Sequence, residues 1–181
     1  MPDTLPFTQS EQANALLARD PMALLIGFAL DQQVTVPKAF SGPLVLQERV
    51  GTLDPATLAD TDLDPVFREK PAMHRFPGAM ATRVQDLAAH IRDEYDGDAA
   101  RVWTGAADSA QLRANLAALP GFGEMKIDSL AAVLAKRFGV QAAEPLVPDH
   151  PTLGDVDSPE TLAEYQAGKR ALKLAKRAAA G

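Results

Sequence analysis

The chain has no cysteine, one tryptophan and three histidines among 181 residues. Without cysteine there can be no disulfide, cysteine nucleophile, zinc–thiolate site or cysteine-held iron–sulfur cluster. The histidines, His74, His90 and His150, are far apart and show no ligand spacing, so they suggest no metal site. Long hydrophobic runs are also missing. The longest, Met22 to Leu30, contains Gly27 and is far too short to span a bilayer. The opening Met-Pro-Asp-Thr-Leu-Pro lacks the basic start and apolar core of a signal peptide. A soluble, cytoplasmic protein is the expectation.

Positive charge is in short supply as well. The net charge of −6 counts against a nucleic-acid partner, because a DNA binder generally carries an excess of Lys and Arg. The distribution softens the objection. Acids cluster at Asp54, Asp60, Asp62, Asp64 and Glu69, whereas Lys169, Arg170, Lys173, Lys176 and Arg177 form a basic C-terminal run.

Helical signals, by contrast, are abundant. With 46% apolar residues, the chain can bury a core without metal or disulfide staples, as one domain or two small lobes sharing a cleft. Ser10 is a plausible cap for a first helix, and Asp20-Pro21 opens a second that is apolar nearly all round and reaches about Gln33. Pro37 ends that helix or starts its successor. Further helices fit 43–50, 55–59, 64–69, 78–93, 99–103, 108–119 and 126–138. Ser158-Pro159-Glu160-Thr161 orders a cap, a first-turn proline and an early acid for a last helix over 158–180. No segment alternates like a strand, and there is no internal repeat. The fold class is all-α. The loop over 139–157, holding Pro145, Pro148 and Pro151, is either a functional ordered loop or a mobile linker.

The most informative stretch spans 112–138 and reads as helix, Leu119-Pro120-Gly121-Phe122-Gly123, helix. Pro120 stops the first helix, and the two glycines permit positive φ and close approach of the backbone to another body. The second helix begins near Glu124, so its free amides and positive dipole end lie beside those glycines, where they can hold an anion without side-chain charge. An ordinary αα-hairpin would use the same glycines for a tight turn.

The Leu-Pro-Gly-Phe-Gly hairpin resembles that of the helix-hairpin-helix, Gly-Pro-Asp superfamily of DNA glycosylases, including its endonuclease III and 3-methyladenine glycosylase II branches. A second segment, Leu30-Asp31-Gln32-Gln33-Val34-Thr35 at the end of the apolar helix, resembles the superfamily's Leu-x-Gln-Gln-x-Ser/Thr turn. The resemblance covers roughly residues 15–140 and implies a two-lobed helical fold that grips double-stranded, damaged DNA by its backbone and flips one base into a pocket. It implies phosphate contacts at Gly121, Phe122, Gly123, Glu124, Met125 and Lys126. It also implies a monovalent cation on the carbonyls of Ala117, Leu119 and Phe122, and Gln32 and Gln33 filling the gap left by the flipped base.

The catalytic pattern departs from the family. The position of the family's lysine is Met125, and Lys126 lies about 100° further round the helix, where it should face elsewhere as a phosphate contact or surface lysine. A lyase mechanism is therefore not expected. At the family's aspartate position the chain offers Glu144, and the nearest aspartate is Asp149, in Val147-Pro148-Asp149-His150. Asp149 is the candidate acid and Glu144 the alternative, or the chain has no catalytic acid. Three readings follow: a monofunctional DNA N-glycosylase acting as a monomer on a damaged base, alkylated bases among the candidates; a non-catalytic relative that recognises bent or damaged DNA; and a protein-interaction domain on the same scaffold. His74 reads as a surface histidine, with a place lining the cleft between lobes as the alternative, and Tyr95 and Trp103 read as core aromatics, with stacking on a base as theirs.

Overall fold

Asp20 ends one helix and starts the next. In the computed structural model, which describes residues 2–181, α1 (Glu11–Arg19) and α2 (Pro21–Leu30) meet at this residue with a bend of 114°. The Asp20 carboxylate accepts from the Met22 amide at 2.9 Å and the Ala23 amide at 3.4 Å, capping α2 where Pro21 needs no amide partner. Every residue of α2 from Met22 to Leu30 is buried, so α2 is the central helix. Each large apolar side chain on it contributes about 1.5–3 kcal/mol by burial. Among the described residues no single helix is long and apolar enough to cross a membrane.

The other helices surround α2. Helix α3 (Val36–Val50) starts at the Thr35 cap and crosses α2 so closely that a Cβ on Gly27 would lie 2.4 Å from the Phe40 ring. Sequence reading breaks this segment at Pro43, whereas the helix runs through it. Pro43 removes one intrahelical donor, and its ring is buried beside Gly42, which itself touches Leu30. Short α4 (Pro55–Asp60) and α5 (Asp64–Arg68) pack on the long α6 (Pro77–Tyr95), which also contacts α2. Arg49 links α3 to the α5 turn through the carbonyls of Val66, Glu69 and Pro71 at 2.8–2.9 Å.

A second group follows: α7 (Arg101–Thr104), α8 (Ser109–Ala117) and α9 (Glu124–Phe138). The segment over 139–157 is not a loose linker. It folds into two 3-10 turns, Gln141–Leu146 and Leu153–Asp155, that pack on α9. Gly154 lies so close to α9 that a Cβ there would sit 2.7 Å from the Ala132 carbonyl, and Arg137 donates to the Gly154 carbonyl at 2.9 Å. Last comes α10 (Pro159–Ala180), started by a Ser158–Thr161 capping box and anchored by buried Leu162. From Ala167 onward it is exposed on every side. Among the described residues there is no strand, so the all-α class holds.

Candidate nucleic-acid interface and cleft

The hairpin is built by its backbone. Phe122 donates to the Leu119 carbonyl at 3.2 Å, and Gly121 adopts φ +79°, a conformation that favours glycine. The Arg83 guanidinium packs on the face where a Cβ would project, 2.5 Å from that position, so Gly121 is fixed both by conformation and by space. Gly123 is extended, and a Cβ there would meet nothing within 4 Å. The first intrahelical bond of α9 runs from the Ile127 amide to the Gly123 carbonyl at 3.0 Å. The amides of Glu124, Met125 and Lys126 precede it, so they have no partner within the helix, and no side chain caps them. The Glu124 carboxylate is drawn aside by a hydrogen bond from Arg113.

The turn after α2 meets this hairpin. Lys126 reaches back and donates from Nζ to the Ala29 carbonyl at 3.1 Å, while its ammonium lies 5.8 Å from the Phe122 ring centre. The expectation of an outward-facing surface lysine is thus corrected. Ala29 lies in the last turn of α2, whose carbonyls have no donor within the helix. On the other side, Arg83 donates to Gln32 Oε1. Gln33 adopts a positive φ of 56° and is exposed. His74 is 2% exposed, contrary to the surface reading. Its Nε2 donates to the Leu30 carbonyl and its Nδ1 accepts from the Phe76 amide, both at 2.9 Å, so the ring is neutral with the proton on Nε2. Burial lowers its pKa, against the smaller raising effect of the Leu30 hydrogen bond.

Between these parts lies a cleft of about 1250 Å³. Its lining includes Asp31, Gln32, Gly121, Gly123 and Lys126, together with His150 and Thr152 and with Tyr165 and Lys169 of α10. Burial raises the Asp31 pKa, and the charges of Lys169 and Lys126 partly offset that effect. The Lys126 amine is pushed down to about 8, mainly by burial and then by the Arg83 charge, with Asp31 acting in the opposite sense. The Tyr165 phenol is pushed up to about 12 by burial and by the nearby carboxylates of Asp31 and Asp155. A smaller hollow of about 320 Å³ lies at the other end of α2, beside Asp20 and Asp98, and includes neither segment.

The structure therefore gathers Gln32, Gly121, Gly123, Glu124, Met125 and Lys126 around one cleft. It leaves Asp149 and Glu144 exposed and outside the cleft lining, which this segment joins from His150 onward. Met125, at the lysine position of the resembling family, is 76% exposed at the cleft mouth. Sequence reasoning missed Asp31 and Arg83. For Asp31 a signal exists: an acid at the negative end of a helix with no basic residue in its last turn is electrostatically unfavourable without a partner or a task. Arg83 lies within an ordinary amphipathic helix and gives no such signal. Among the described residues no three His, Asp or Glu side chains gather as metal ligands. In comparisons with family models, curated proteins and solved structures, nothing matches the chain.

Proposed function

We propose that this chain grips double-stranded DNA at the hairpin and draws a damaged base into the cleft, as a monofunctional DNA N-glycosylase of the helix-hairpin-helix type. One observation carries the reading. The hairpin glycines and the Gln32 turn, far apart in sequence, line the same cleft, with a carboxylate in it. The free amides of α9 suit a backbone phosphate and work without net positive charge. The carbonyls of Ala117, Leu119 and Phe122 offer oxygen donors of the type an alkali cation takes. Leu119 already accepts the Phe122 amide and keeps its second lone pair for such an ion.

Asp31 is the acid this reading selects, since Asp149 and Glu144 face solvent. A carboxylate beside C1′ would stabilise positive charge developing on the sugar and orient the attacking water. Gln32, held by Arg83, would face the gap left in the duplex. A damaged base unstacks at lower cost, which is one source of selectivity. The exposure of Asp149 and Glu144 favours a second reading, in which the cleft holds the base without cleaving its bond.

Fluorescence anisotropy with a labelled duplex tests the grip. Binding should weaken steeply with salt and fall in Gly123→Ala, which has room for its methyl group within the fold. Equal binding by the two proteins contradicts the hairpin assignment.

A further inference from the structure

Helix α10 leaves the body after Tyr165 and carries five cations, Lys169, Arg170, Lys173, Lys176 and Arg177, with no acid among residues 165–181. At about 100° per residue, taking Lys169 as 0°, Lys176 falls near −20°, Lys173 near 40°, Arg177 near 80° and Arg170 near 100°. All five thus share an arc of about 120° on one side of the helix. The leading edge of that arc, Lys169 and Lys176, lines the same cleft as Gly121 and Gly123 of the hairpin. The remaining three continue along the adjoining flank, and all five are exposed.

Acids in the cleft do not cancel this edge. Glu124 is bonded to Arg113 and Asp155 to Lys136, Asp31 sits between Lys126 and Lys169, and the fourth acid of the lining, Glu164, lies about 140° round α10 from Lys169. The rest of the chain is acidic, so five cations on one side of α10, two of them lining the cleft that Glu124, Met125 and Lys126 also line, form a local positive wall.

We propose that the basic face of α10 is the second wall of a DNA-binding channel and contacts phosphates of the same duplex that the hairpin holds. The inference rests on the DNA-binding reading above and adds a second grip to it. A membrane surface is the poorer occupant. The two exposed leucines, Leu172 and Leu174, fall at about −60° and about 140°, on opposite flanks of the cation arc, and the far side between them holds small residues, Gly168, Ala171, Ala175 and Ala178 among them, so they form no single apolar face to insert among lipid chains.

The test measures duplex affinity against salt for three proteins: wild type, Lys173→Gln/Lys176→Gln on α10, and Arg19→Gln/Arg101→Gln at the far end of α2. Each phosphate contact adds about 0.9 to the slope of log affinity against log salt. The α10 pair should lower the slope by about 2 at unchanged melting temperature, and the distant pair should leave it unchanged. An unchanged slope in the α10 pair, with wild-type binding still sensitive to Gly123→Ala, overturns the second wall and leaves the hairpin reading standing. Equal losses in the two pairs reduce the effect to net charge and also overturn it. No duplex binding by wild type, with α10-dependent binding to phosphatidylserine vesicles instead, sinks both.

Discussion

Lys126 donates from Nζ to the Ala29 carbonyl at 3.1 Å, joining the hairpin helix to the end of the central helix across 97 residues of sequence. This bond brings the two motif segments to one cleft and places an ammonium next to Asp31. Its energetics are legible in pH. The folded-state pKa of Lys126, about 8, lies below the ordinary lysine value of 10.5, so burial of the charge opposes folding at neutral pH. As pH rises from 8 towards 10.5 the folded chain has lost that proton and the unfolded chain has not. Wild type should therefore gain stability relative to Lys126→Met over that window. Melting curves of both proteins at intervals from pH 7 to 10.5 check this; a constant difference contradicts it.

The hairpin glycines should separate by phenotype. Gly121→Ala forces an L residue to φ +79° and collides with Arg83, so it should cost about 1–3 kcal/mol of stability. Gly123→Ala meets nothing in the fold and should melt like wild type. Urea unfolding of the two variants distinguishes them, and equal stabilities would show that Arg83 does not define the turn.

His74 braces the turn that carries Gln32. His74→Leu leaves the Phe76 amide without its acceptor, a loss of about 1–3 kcal/mol. Because the folded-state pKa is lowered, wild type loses stability as pH falls below about 6.5, where the unfolded chain binds the proton first. The variant should lack that part of the acid dependence, which unfolding at pH 5 and pH 7.5 resolves.

A monofunctional mechanism forms no covalent complex with DNA. Borohydride added during reaction with a duplex containing an abasic site should trap nothing. A trapped adduct that disappears in Lys126→Met would replace the monofunctional reading with an imine mechanism, for which a desolvated amine is suited.

Much of the helical order was legible because caps and prolines act locally: Ser10, Asp20 and Ser158 begin helices where the sequence places them. Pro43 misled, because a proline inside a helix is tolerated where packing on both sides holds the chain. The hairpin was legible through Pro120, Gly121 and Gly123, whose backbone roles follow from residue type. The cleft was not. Asp31 gains its setting from Lys126 and Lys169, and Arg83 from Gln32 and Gly121, all contacts between residues remote in sequence. Asp149 and Glu144 stood out through alignment with a pattern, and packing of the 3-10 turns on α9 leaves both in solvent.

Single-turnover base release bears most directly on the glycosylase assignment, using duplexes with alkylated, deaminated and oxidised bases and with Asp31→Asn, Asp149→Asn and Glu144→Gln in parallel. Wild type should release a base, Asp31→Asn should lose about 10²–10⁴-fold in rate with duplex binding retained, and the other two should stay near wild-type rates. Full release by Asp31→Asn, or none by wild type from any duplex, contradicts the assignment.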